Sequence, residues 1–172
     1  MTTPRTARLL AAPLAAALLL PAVAGCAVLG ELTAGDPCVP QEAPADASPS
    51  AVAYLAAVES ATPGWLAVSD RIGAQGRQMY AADLRDQVAV DEKFLADVRS
   101  IEFGPRVQPL ADDLDEALVA YVDFVRTSAE QPGYLSEHRD VDDLVNEERA
   151  EASSALRDAL HLPANGCVLN RP

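Results

Sequence analysis

The sequence YAADLRDQVAVDEKFLADV, residues 80–98, is the clearest indication of the fold class of this chain. Its apolar side chains recur at steps of three and four residues, which places them along one face of an α-helix and excludes the alternation of a strand. Gly104-Pro105 follows and ends the pattern, because proline cannot continue a helix. We therefore predict an amphipathic helix whose buried face comprises Tyr80, Leu84, Val88, Asp91, Leu95 and Val98.

Three further segments have the same periodicity, and glycine and proline separate them. The first begins at Ser48-Pro49, an N-cap followed by a proline at the first helical position. Pro63-Gly64 lies inside it and is expected to kink or split it, since proline removes a backbone hydrogen bond. With residues 80–98 counted as the second segment of the chain, the third ends before Gln131-Pro132-Gly133, and the fourth begins after Ser136 or Asp140. The expected inward positions are Leu55, Val58, Ala61, Trp65, Val68 and Ile72 in the first; Val107, Leu110, Leu114, Leu118, Tyr121 and Val125 in the third; and Val141, Val145, Glu148, Ala152, Ala155 and Ala159 in the fourth.

The four segments together predict an all-α fold. Alternation typical of a strand never lasts more than a few residues. Four amphipathic helices with short connections are typical of an up-down-up-down four-helix bundle, which we expect over residues 50–172. An even number of helices brings both ends of such a bundle to the same pole.

The N-terminus has the three parts of a signal peptide in order. Arg5 and Arg8 precede an apolar run over residues 9–23, and Val23-Ala24-Gly25-Cys26 closes it. This ending resembles the lipobox of bacterial lipoproteins, and the alanine-rich composition resembles small uncharacterised lipoproteins of actinobacteria. The resemblance implies that residues 1–25 are removed and that the Cys26 thiol carries the acyl chains, palmitate among them. The alternative is an ordinary secretory signal in which Cys26 happens to follow two small residues.

A lipid-anchored protein of this class would be displayed on the extracytoplasmic face of the cell membrane. Residues 26–49, from the lipidated cysteine onwards, contain glycine and proline without periodicity and are predicted to tether the domain. The run before Cys26 is short for a membrane-spanning helix, which needs about 20 residues.

Cys38 and Cys167 are the two cysteines that remain after Cys26. An even pair in an oxidising compartment predicts a disulfide, here one that ties both ends of the bundle together. The alternative is a metal or redox pair, although neither cysteine lies in a CxxC motif or beside a histidine.

The formal net charge of −13 limits the classes of partner. Such an acidic chain is repelled by nucleic acid, so no nucleic-acid partner is expected. An envelope protein remains as a partner, and the membrane is engaged through the lipid anchor.

Asp91 and Glu148 fall in the middle of the expected buried faces of the second and fourth helices. Two inward carboxylates are costly unless they are paired, hydrogen-bonded or bound to a cation, so they are the candidate ligand-binding residues. The simpler alternative is that each sits at the edge of its face and pairs with an arginine or a tyrosine hydroxyl, such as Tyr80 or Tyr121.

Motifs for catalysis, phosphate binding and metal binding are absent from the sequence. There is no G-x-S-x-G, no glycine-rich phosphate loop, and only Asp158-Ala159-Leu160-His161 approaches a Glu-x-x-His motif. We therefore expect no catalytic residue, no metal and no cofactor. The sequence favours a non-catalytic interaction or binding module of the cell envelope, with a small-ligand- or metal-binding bundle as the alternative and an enzyme of unknown type as the third hypothesis.

Overall fold

The structure, a computed structural model, describes residues 42–162 and confirms the all-α prediction for them. Five helices pack together within this range: α1 (Pro49–Ala74), α2 (Ala81–Arg99), α3 (Gln108–Glu130), α4 (Tyr134–Glu137) and α5 (Arg139–Ala159). The predicted leader, Cys26, most of the predicted tether, Cys38 and Cys167 lie outside the described residues. The cysteine predictions therefore stay predictions.

Helix α1 begins where the sequence predicts. Ser48 is its N-cap and accepts a hydrogen bond from the Ala51 N–H at 3.2 Å, and Pro49 occupies the first turn. Pro63 lies inside a continuous helix, so of the two predicted effects the split does not occur, and the kink stays a prediction. The helix ends at Ala74, and a turn with positive φ at Gly76 and Arg77 leads to α2. Among the described helices, α1 alone is long and apolar enough for a membrane span, a property that core helices of soluble proteins share.

The close approach of α1 to α2 depends on Gly64. A Cβ atom at this position would lie 2.6 Å from Cγ2 of Val90, which is shorter than any real contact. The absence of a side chain at Gly64 is therefore a packing requirement, in the middle of a helix where glycine would otherwise cost stability.

Helix α4 is a single turn that the sequence analysis did not predict. Gly133, at φ 91°, starts it after α3 ends, and His138 separates it from α5. The conformation of Gly133 is one that residues with a side chain rarely adopt. Helix α5 begins at Arg139, between the two predicted starts.

The interior contains two groups of buried apolar side chains. Helix α1 packs against α2, α2 against α3, and α3 against α5. The first core cluster joins the first half of α1, the end of α2, the first half of α3 and the end of α5; its most buried large members are Tyr54, Leu114, Leu118 and Leu156. The second core cluster joins the beginning of α2, the end of α3 and the beginning of α5 through Leu84, Val88, Val122, Phe124, Val125, Ala129 and Val145. Burial of each such large aliphatic side chain contributes about 1.5–3 kcal/mol.

Candidate functional site: a buried carboxylate beside an interior cavity

Asp91 is the centre of a buried polar cluster on α2. Its side chain has no exposed surface. The Trp65 indole Nε1–H donates to Asp91 Oδ1 at 2.8 Å, and the Gln87 amide Nε2 donates to Oδ2 at 2.6 Å. Burial raises the pKa of the Asp91 carboxyl above its ordinary value, while both hydrogen bonds and the positive charge of Arg149 act in the opposite direction. Asp91 thus points inward, as predicted, but its hydrogen-bond donors are an indole and an amide instead of an arginine or a tyrosine hydroxyl.

Arg149 contributes the positive charge of this cluster from α5. Its guanidinium carbon lies 4.2 Å from the centroid of the Tyr121 ring, which is a cation–π contact. Nη2 donates to the Asn146 side-chain oxygen at 3.2 Å, whereas the buried Nε–H has no hydrogen-bond partner. Trp65, Gln87, Asp91, Tyr121 and Arg149 are called the Asp91 cluster below.

Glu148 lies on the exposed surface of α5. The predicted inward pair of Asp91 and Glu148 therefore does not form. The inward face of α5 runs through buried Val145, half-buried Arg149 and Ala152, and buried Leu156, so it contains Arg149 instead of the preceding Glu148. The apolar pattern of the sequence is the same whether Glu148 or Arg149 faces inward, because both side chains are charged. The prediction that Glu148 faces inward is therefore wrong by one residue.

A small interior cavity adjoins the Asp91 cluster. Its volume is about 70 Å³, and one of its lining residues, Met79, is exposed to solvent. Gln87 and Tyr121 belong both to the cavity wall and to the Asp91 cluster. The apolar wall comprises Val68, Ile72, Met79, Leu84, Val125 and Leu135, and the polar wall comprises Asp83, Gln87, Tyr121, Ser128 and Asp142.

Asp83 is held rigidly at the wall of this cavity. Arg71 Nε donates to its Oδ1 at 2.7 Å, and the backbone N–H of Tyr80 donates to its Oδ2 at 2.9 Å. Asp83 is buried. The hydrogen bond from the Tyr80 N–H caps the first turn of α2, and the one from Arg71 connects this turn to α1. The Tyr80 hydroxyl donates to Gln78, and its half-exposed ring is outside the buried face where we predicted it.

The sequence pattern does not predict a role for Asp83, Gln87, Arg149 or Asp142. The spacing alone could have identified Arg149, since it lies four residues after Val145 and seven before Leu156. Asp83 follows Tyr80 by three residues, which is the spacing of an acid that caps a helix.

No group of three or more histidine, cysteine or acidic side chains that could hold a metal ion occurs among residues 42–162. Asp158 and His161 are both exposed, and His161 has a positive φ in the turn after α5. The chain matches no protein-family model, no curated protein and no solved structure.

The arrangement can hold a ligand that is smaller than most cofactors. A carboxylate with both oxygens occupied by donors orients the Gln87 amide, and Gln87 lines the cavity. Asp91 itself is not part of the cavity wall, so its contribution to binding would be to position Gln87.

Proposed function

We propose that this protein is a membrane-anchored, extracytoplasmic lipoprotein whose helical domain is a non-catalytic binding module for a small ligand. The observation that carries the binding role is the interior cavity, whose wall combines apolar side chains with hydrogen-bonding groups. Ligand sites between helices combine apolar walls with a few polar groups, and a volume of about 70 Å³ restricts the ligand here to one of a few atoms. The anchor is supported by Val23-Ala24-Gly25-Cys26 at the end of the apolar leader.

Two acyl chains on Cys26 would hold the domain at the membrane surface, since a single chain gives only marginal anchoring. The test is Cys26→Ala in the full chain, followed by membrane fractionation and labelling with a palmitate analogue. We expect the variant to remain unlabelled and unprocessed. A variant that is still membrane-bound at mature size would contradict the anchor.

We further infer that the four long helices form an up-down-up-down bundle. The first core cluster joins the beginning of α1 to the end of α2, the beginning of α3 and the end of α5. The Tyr54 hydroxyl and the Ser153 hydroxyl are hydrogen-bonded at 3.2 Å, which links the first and last long helices at this end. Alternating helix direction brings these ends together.

The same end of the domain supports the Cys38–Cys167 disulfide. Ala43, near the first described residue, packs against the first core cluster, and Leu162, the last described residue, is one of its members. Each cysteine lies five residues beyond one of them. Five residues can span up to about 16–18 Å, so each cysteine can lie well away from the residue at the core cluster that precedes or follows it.

The binding role is tested by thermal unfolding of the full chain in the presence of a library of small polar metabolites. A ligand that binds only the folded state stabilises it by about 2.7 kcal/mol at a hundredfold excess over Kd. We expect at least one class of compound to raise the Tm of the parent protein but not of Ile72→Phe, which fills the cavity. Val52→Phe, an equivalent substitution at a half-exposed position of α1, is the matched control.

A groove between the end of α2 and the beginning of α3 favours a second candidate function, docking of an envelope protein. It has a volume of about 470 Å³, and Ile101 and Phe103 contribute half-buried apolar surface to it. Crosslinking at this groove would distinguish a protein partner from a ligand bound in the interior cavity.

A further inference from the structure

All five described helices contribute side chains to the interior cavity. They meet there at the end of α1, the beginning of α2, the end of α3, the single turn α4 and the beginning of α5. Met79, in the connection between α1 and α2, also lines the cavity and is 44% exposed. Because a methionine side chain is unbranched and flexible, Met79 can move aside and admit a small molecule from solvent.

The carboxylates in the cavity wall already have hydrogen-bond donors from the protein. Asp83 accepts from Arg71 Nε and from the Tyr80 N–H, so both of its oxygens are used. The Asn146 amide Nδ2 donates to Asp142 Oδ1 at 2.8 Å. Neither acid therefore requires a cation from outside, and their two negative charges repel an anion.

An uncharged ligand fits this wall better than an ion of either sign. Transfer of an ion from water into a site that does not compensate its charge is far more costly than transfer of a neutral molecule. Val68, Leu84 and Val125 present aliphatic surface to the cavity from three different helices. This surface favours a ligand that consists mainly of an alkyl chain.

Ser128 offers a hydrogen-bond acceptor to such a ligand. Its side chain lines the cavity and is buried, and its hydroxyl donates to the Phe124 carbonyl oxygen at 2.9 Å. A hydroxyl has a single hydrogen, so Ser128 Oγ can then only accept from a further partner. A ligand with one O–H donor supplies that partner and keeps its own hydrogen bond when it leaves water.

The size of the cavity limits the ligand to a few atoms. A single water molecule requires about 10–15 Å³, so about 70 Å³ holds roughly five groups of that size. A chain of about four carbons with one hydroxyl group matches this volume.

We infer that the interior cavity binds a short, uncharged aliphatic alcohol, whose alkyl chain packs against Val68, Leu84 and Val125 and whose hydroxyl donates to Ser128 Oγ. This inference rests on the proposed ligand-binding function and adds the chemical class of the ligand. The aliphatic wall selects the chain, the buried acceptor selects the hydroxyl, and the satisfied carboxylates exclude charged analogues.

The experiment is a fluorescence titration of the full chain with 1-butanol, kept below the concentration at which the circular dichroism spectrum changes. Trp65 is the one tryptophan of the chain, and its indole is connected to the cavity through Asp91 and Gln87, so it reports occupancy. n-Butylammonium chloride and sodium butyrate are the matched charged probes. 1-Fluorobutane has the same chain without an O–H donor. We expect saturable binding of 1-butanol and 1-fluorobutane, and at least tenfold weaker binding of either ion.

Two serine variants test the position of the hydroxyl. Ser128→Ala removes the acceptor and should weaken 1-butanol binding about fivefold, as expected for the loss of one neutral hydrogen bond, while 1-fluorobutane binding stays unchanged. Ser69→Ala makes the same change at an exposed position of α1 and should leave the binding of both probes unchanged. Ile72→Phe should abolish saturation by either probe, while circular dichroism verifies that it remains folded.

Each other outcome overturns a defined part of the inference. An ion that binds as tightly as 1-butanol, and no longer binds to Ile72→Phe, would refute the uncharged class and leave the proposed ligand-binding function standing. A Ser128→Ala protein that keeps full affinity for 1-butanol, or loses affinity for both neutral probes equally, would refute the hydrogen bond to Ser128. Binding of 1-butanol that persists in Ile72→Phe would refute the cavity as its site. Absence of saturable binding by all four probes would refute the alcohol inference, and if the metabolite library also fails to raise the Tm, the proposed function fails with it.

Discussion

The Asp91 cluster predicts that the shape and hydrogen bonds of this buried carboxyl matter more to stability than its charge. Asp91→Ala leaves the Trp65 indole N–H and the Gln87 amide N–H without their acceptor. Each buried donor without a partner costs about 1–3 kcal/mol. We therefore expect the free energy of unfolding to fall by about 2–5 kcal/mol, a large part of the 5–15 kcal/mol typical of a domain.

Asp91→Asn should behave differently from Asp91→Ala. The asparagine oxygen can accept from Trp65, and rotation of the Gln87 amide lets its oxygen accept from the new NH₂ group. The substitution also removes a charge whose burial is unfavourable, so we expect a change within about 1 kcal/mol near neutral pH. Urea unfolding followed by circular dichroism measures both variants, and exposed Asp70→Ala is the control, expected within about 0.5 kcal/mol.

The difference in stability between Asp91→Asn and the parent protein should depend on pH. Because burial raises the pKa of Asp91 above 3.8, the ionised carboxylate is less favourable in the folded state than in the unfolded chain. This penalty is fully present above the folded pKa and is relieved as the pH falls through it towards 3.8. The stability of Asp91→Asn relative to the parent should therefore be highest near neutral pH and decline in acid. An asparagine variant as unstable as Asp91→Ala at neutral pH would refute the reasoning, since it would show that the fold requires the negative charge itself.

Three further predictions concern packing, the corrected face of α5 and the cysteines. Gly64→Ala places a Cβ against the stiff side chain of Val90, so thermal unfolding should show that the free energy of unfolding falls by about 1–2 kcal/mol. Val90→Ala in the same protein should partly restore it. A more stable Gly64→Ala protein would show that the two helices separate freely. Arg149→Ala loses the contact with Tyr121 and should lower the free energy of unfolding by about 1–2 kcal/mol. Glu148→Gln, at an exposed position, should change it by less than about 0.5 kcal/mol. Urea titrations that give the reverse order would contradict the register of α5. Cys38→Ser and Cys167→Ser should each lower stability by roughly 4–5 kcal/mol with little further loss in the double variant, and additive losses would show that the two cysteines do not pair.

The sequence predicts the helices of this fold well because the residues that begin and end them act locally. Ser48-Pro49 starts α1, Gly104-Pro105 separates α2 from α3, and the structure places the helix boundaries accordingly. Pro63 lies within continuous α1, which packs closely against α2 at Gly64, so the split that was one of the two predicted effects does not occur. Local signals describe the preference of a segment, and tertiary packing can override it.

The candidate site was predicted only in part, because burial of a polar residue depends on its partners. Asp91 could be placed on the inward face from periodicity alone, but Trp65 and Gln87 become its donors only when α1 packs on α2. In α5, Glu148 and Arg149 are adjacent charged residues, and a rotation of one residue decides which of them faces the core. The cavity arises from the meeting of several helices and has no signature within any one of them.

Native mass spectrometry of the protein extracted gently from its own membrane tests the anchor, the disulfide and the ligand site in one measurement. A ligand-binding lipoprotein predicts a chain that begins at diacylated Cys26, lacks two hydrogens because of the Cys38–Cys167 disulfide, and carries a small bound mass that Ile72→Phe loses and Val52→Phe retains. An unacylated chain that keeps its leader would contradict the anchor. A bound mass that persists in Ile72→Phe would contradict the cavity as the ligand site.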